Sequence, residues 1–102
     1  MIYDKLVRDK IIEIIKADGK EAKYKIAHGE EYKCYLIKKL QEEVDEFKEE
    51  EEIEELADIL EVIEGLLNVY NLSWDDIFKL KEEKAIKRGQ FEEGIILKEV
   101  KE

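Results

Sequence analysis

Two runs of apolar residues at helical spacing, separated by little but glutamate, constrain this chain more than any other feature. Leu36, Leu40, Val44 and Phe47 recur every three or four residues, and so do Ile53, Leu56, Ala57, Leu60, Ile63 and Leu67. That spacing puts each set on one face of a helix. The first set predicts a helix over about Glu30 to Glu49, and the second a helix over about Ile53 to Tyr70, with the latter set as its core stripe. Only a short acidic turn around Glu50 to Glu52 joins them, so the two helices are expected to fold back as a hairpin. The chain has 102 residues and no proline. It is read as one domain over 1–102, lacking long irregular loops.

Local signals place the remaining elements. Asp9 followed by Lys10 to Lys16 predicts a short helix closed by Asp18-Gly19. Asn71 is a left-handed stop for the second long helix. Ser73 caps a further helix, with Asp76 in the reciprocal position, and that helix runs to Arg88 before Gly89 ends it. Ile2 to Val7 is expected as a short strand or an extended arm, Tyr24 to Ala27 as extended, and Ile95-Ile96-Leu97 as a terminal strand. The expected fold class is therefore all-α, an antiparallel helical bundle with minor extended or strand segments at the termini. Trp74 and Phe78, one turn apart, are expected to pack the last helix rather than stack a base.

The charge is confined to one place. Of 28 acids and 18 bases, twelve acids and one base (Lys48) lie between Gln41 and Glu61, leaving 16 acids and 17 bases elsewhere. The net charge of −10 thus belongs to that segment. An acidic chain lacks the basic face that nucleic acid requires, so no nucleic-acid partner is expected. The longest uncharged runs, such as Gly65 to Ser73, fall far short of the about 20 apolar residues of a membrane span. The first residues hold no apolar stretch of signal-peptide length, and a cytoplasmic protein is expected. One cysteine (Cys34) and one histidine (His28) exclude an internal disulfide and a closed four-ligand zinc site. The only serine is Ser73, at a helix start, so serine-nucleophile hydrolysis has no nucleophile. Absence of threonine and scarcity of Asn and Gln, against abundant Lys, Glu and Ile, resemble a thermophile's usage.

The acidic segment contains Glu43-x-x-Glu46 on the first long helix and Glu55-x-x-Asp58 on the second. Residues three apart neighbour one another on a helix, so each pair can share a cation. In a hairpin all four can converge. The second helix also carries a second apolar sector, Ile59, Val62, Leu66 and Val69, and Glu55 and Asp58 stand at its N-terminal end. A carboxylate entering an apolar face is costly without a cationic partner. Oxygen-only ligation selects Mg²⁺ first and Mn²⁺ second. Mg²⁺ on acidic side chains is a usual way to bind a polyphosphate, for which Lys5, Arg8 and Lys10, and Lys84, Lys87 and Arg88, are candidate phosphate contacts. The same pairs are also what a solvated Glu-rich face produces, and Lys84 and Arg88 also suit a helix C-terminus.

Leu40-Gln41-Glu42-Glu43-Val44-Asp45-Glu46 and Glu55-Leu56-Ala57-Asp58-Ile59-Leu60 resemble the MazG-like all-α nucleoside triphosphate pyrophosphohydrolases, which include the phosphoribosyl-ATP pyrophosphohydrolases. Lys5-Leu6-Val7-Arg8-Asp9-Lys10 and Lys84-x-x-x-Arg88-Gly89-x-Phe91 are similar to the ends of the small stand-alone branch. The resemblance spans nearly the whole chain; it departs in a short connection between the acidic pairs and in Ile12, where related sequences often have proline. It implies a helical homo-oligomer, dimer or tetramer, with the second apolar sector as the subunit interface. It further implies a Mg²⁺ site of Glu43, Glu46, Glu55 and Asp58 and hydrolysis of a nucleoside triphosphate to monophosphate and pyrophosphate. Glu42 is then the candidate base that orients water. Phosphoribosyl-ATP is the alternative substrate, and a non-enzymatic acidic helical interaction module is the alternative outside enzymes.

Overall fold

Helix α1 (Ile11–Ala17) begins at Lys10, with no side chain capping it, so Asp9 does not serve as the cap. Its end follows the expectation, with Asp18 at the C-cap and Gly19 at φ +76°. Helix α2 (Gly29–Glu50) and helix α3 (Ile53–Val69) match the two predicted long helices to within a residue at each end. Asn71 takes the left-handed conformation (φ +58°). Helix α4 (Trp74–Arg88) starts on the reciprocal Ser73 and Asp76 hydrogen bonds and stops at Gly89. The computed structural model describes residues 4–102; the part of the expected N-terminal strand at Ile2 and Tyr3 lies outside them. The chain is all-α. Among the described residues no strand forms, and Ile95, Ile96 and Leu97 are largely exposed with no partner strand to hydrogen-bond.

The chain divides into two units, one reaching to Asn71 and the other running from Leu72 to Glu102. In the second, α4 buries none of its residues; Trp74 and Phe78 stack on each other with ring centroids 5.7 Å apart, and Phe78 is 56% exposed. In the first, α2 packs along α3 in antiparallel fashion through a turn of two residues. Glu51 makes this turn in the left-handed region (φ +52°), its N–H donating to the Phe47 carbonyl at 2.8 Å. Left-handed backbone at a residue with a Cβ is uncommon. Glu52 opens α3, and its N–H donates to Glu55 Oε1 at 3.2 Å.

The buried face of α3 departs in part from the expected assignment. Val62 is buried and Ile59, Leu66 and Val69 are half-buried, so the sector expected at a subunit interface is largely covered within this chain. Of the expected core stripe Leu67 is buried and Ile63 half-buried, while Ile53, Leu56 and Leu60 are 78%, 41% and 52% exposed. The reason lies at Gly65. A Cβ there would stand 2.8 Å from Leu36 Cδ2 and 3.5 Å from the Tyr32 hydroxyl, so side chains of α2 lie directly over the glycine. The face that carries Gly65 also carries Asp58 and Glu55, seven and ten residues before it. Burying one end of this sector therefore draws the acids of the other end inward. No helix among the described residues is long and apolar enough to cross a membrane.

Candidate metal centre

In an antiparallel pair, residues equally distant from the turn stand at equal height. Tyr32 faces the level of Val69, Leu36 that of Gly65, Lys39 that of Val62, Glu43 that of Asp58, and Glu46 that of Glu55. The contact across Leu36 and Gly65, and the charge that Asp58 exerts on Glu43, agree with this register. The helix spacing has thus brought the two acidic pairs together near the turn.

Glu43 is the centre of the group. Only 6% of it is exposed, although it is an acid, and its Oε2 is buried with no hydrogen-bond partner. Its Oε1 stands 3.3 Å from Lys39 Nζ. Burial pushes the Glu43 carboxyl above the ordinary carboxylate value; Lys39 acts against this, while the charges of Glu46 and Asp58 add to it. A buried carboxylate oxygen with nothing to accept from is a site that lacks a partner.

Glu42 and Glu46 complete the cluster. Each of Glu42, Glu43 and Glu46 offers one oxygen, and these atoms lie within 4.8 Å of one another. Oxygens on one Mg²⁺ ion stand about 2.9 Å apart when adjacent and about 4.2 Å when opposite, so the three side chains would draw closer together to share an ion. Glu42, the candidate base, is half-buried beside the other two. Burial acts to raise its carboxyl, but the Lys5 hydrogen bond at 3.1 Å, together with the Lys39 and Lys5 charges, holds it below the ordinary value. That environment suits a ligand, which must stay ionised, better than a base.

The remaining expected residues divide. Asp58 lies near Glu43, but its Oδ1 accepts from Arg8 Nη2 at 2.6 Å. Glu55 is 6% exposed and uses Oε1 to accept the Glu52 N–H, a structural duty at the start of α3. Its charge reaches Glu50, whose carboxyl is raised chiefly by Glu55. Lys5 and Arg8 are drawn to this end of the hairpin as partners of its acids. Lys10 is the N-cap residue of α1. Lys84 and Arg88 are exposed on α4, in the other unit.

Lys39 was not singled out from the sequence. It sits three and four residues before Glu42 and Glu43, at 3.4 and 3.3 Å from them, with 18% of its side chain exposed. The signal was a lysine on the inward stripe of a helix, followed at i+3 and i+4 by acids. Comparison with protein-family models, curated proteins and solved structures gives no match to this chain.

Proposed function

We propose that the protein is a Mg²⁺-dependent nucleotide pyrophosphohydrolase that cleaves a nucleoside triphosphate, non-standard ones included, to monophosphate and pyrophosphate. The observation that carries this reading is the buried, unpartnered Glu43 Oε2 inside a three-carboxylate cluster. An all-oxygen donor set fits Mg²⁺, with Mn²⁺ as its substitute. Glu42, Glu43 and Glu46 would hold the ion, with Asp58 opposite as the fourth carboxylate. The ion supplies charge neutralisation at the phosphate oxygens, the main requirement of phosphoryl chemistry. Lys5 and Arg8 contribute cations at the same place for phosphate oxygens outside the ion's reach. The sequence resemblance to the MazG-like enzymes supports the same reaction.

The test is pyrophosphate release from a panel of nucleoside triphosphates plus phosphoribosyl-ATP, in Mg²⁺ and in EDTA. Metal-dependent release is expected and is to be lost in Glu46→Gln and Asp58→Asn while circular dichroism shows unchanged helix content. Release untouched in both variants would sink the proposal. Partner loss in proportion to the charge removed, without turnover, would favour the interaction-module reading. We also propose a homo-oligomer formed through the exposed Ile53, Leu56 and Leu60 row of α3. Light scattering should give a multiple of the 12.1 kDa chain mass, falling to one chain in Leu60→Glu.

A further inference from the structure

Residues 4–8 are tied to both helices of the hairpin. The Tyr35 hydroxyl on α2 donates to Asp4 Oδ1 at 3.1 Å, Lys5 Nζ donates to Glu42 Oε1 at 3.1 Å, and Arg8 reaches α3. Arg8 Nη2 lies 2.6 Å from Asp58 Oδ1, and Nη1 lies 3.8 Å from Glu61. Leu6, between the two cations, is half-buried. The segment therefore neutralises the acids that flank Glu43, Glu42 on one helix and Asp58 on the other. It leaves the central oxygen, Glu43 Oε2, without a partner.

We propose that Lys5 and Arg8 are resident counter-ions which a divalent cation must displace, so that cation binding releases residues 4–8 from the hairpin. The inference rests on the metal centre proposed above. A divalent ion among Glu42, Glu43 and Glu46 competes with Lys5 for Glu42 and repels both cations at short range. Asp58 is likewise drawn toward the ion and away from the guanidinium. Both side chains are partly exposed, at 44% and 56%, so water can take over the lost partners. The released ammonium and guanidinium remain next to the ion, where the phosphate oxygens of a nucleotide need cations. The same two residues thus hold the acids before the ion arrives and are set free for anions after it.

The experiment is Mn²⁺ titration of the full chain, followed by loss of the free-ion electron paramagnetic resonance signal, in wild type, Lys5→Gln, Arg8→Gln and Lys25→Gln. Lys25 pairs with Glu31 at 2.7 Å, eleven residues before Glu42 and about 16 Å away along the helix. It controls for the change in net charge. Lys5→Gln and Arg8→Gln are expected to bind Mn²⁺ roughly two- to fivefold tighter than wild type, with Lys25→Gln unchanged. In wild type, Mn²⁺ should also speed tryptic cleavage after Lys5 and Arg8. Equal or weaker binding in both variants, or the same gain in Lys25→Gln, overturns the exchange while leaving the metal centre intact. Failure of wild type and all variants to bind Mn²⁺ overturns the exchange and the centre together.

Discussion

The two ends of one helix pair differ in what holds them. Away from the turn, α2 and α3 meet where Leu36 lies over Gly65, with Leu36 3% and Val62 8% exposed, and apolar burial does the holding. Beside the turn, the same pair of faces presents Glu43, Glu46, Glu55 and Asp58, with lysine and arginine set among them. The period of the seam is continuous, so the change is one of chemistry and not of geometry. The open end makes the hairpin stable, and that stability forces together carboxylates that repel one another. A charged site is built by a neighbour that has no part in its chemistry.

The largest effect should come from the apolar end. Leu36→Ala is expected to destabilise the fold by about 2–5 kcal/mol, read as a lower midpoint in urea. A loss under 1 kcal/mol would mean that the acidic end carries more of the hairpin than its chemistry suggests. At that end the sign reverses. Glu43→Gln removes a buried charge and should stabilise the metal-free protein by about 1 kcal/mol, a rise in Tm on the order of 4–8 °C for a domain of this size. Added Mg²⁺ should raise Tm in wild type and not in the variant.

The pH dependence sharpens this further. The Glu43 carboxyl is raised above its ordinary 4.5 by burial, so the folded chain holds that proton more tightly than the unfolded one. Its contribution is present at low pH and lost as pH rises from 4.5 through the raised value. The Tm advantage of Glu43→Gln should therefore vanish near pH 4 and open toward neutrality in calorimetric scans; an advantage constant with pH would assign it to something other than charge. Glu42 works oppositely, its stabilisation being lost as pH falls, but it is common to both proteins and cancels in the difference. The smallest effect is that of Gly65→Ala. Helix propensity favours alanine, but the Cβ at 2.8 Å from a buried leucine forces a shift, for a net loss of about 0.5–1 kcal/mol. Combining it with Leu36→Ala should cost less than the two changes separately, since the clash is then gone.

What the sequence revealed was local. Ser73 with Asp76, Asn71 and Gly89 fix helix ends through atoms a few residues apart, and those ends came out where they were expected. The two acidic pairs were legible for the same reason. The inward face of α3 was not, because α3 is apolar on two sides and the choice depends on the fit of Leu36 to Gly65, 29 positions away. Arg8 and Asp58 are 50 residues apart, and no periodicity links them. Glu55 reads from the sequence as a ligand, whereas its geometry also makes it the group that accepts the N–H of Glu52, the N-cap residue of α3. The left-handed Glu51 had no glycine or asparagine to announce it.

The turn at Glu51 and Glu52 carries a consequence for how such a gene can drift. Surface loops ordinarily absorb inserted or deleted codons with little harm. Here the levels of Leu36 with Gly65 and of Glu43 with Asp58 are all counted from those two residues. One added codon must be taken up within this two-residue turn, or it offsets every level at once, the leucine from its glycine and the carboxylates from one another. The letters in this loop can change over generations, but its length is as constrained as any residue it connects.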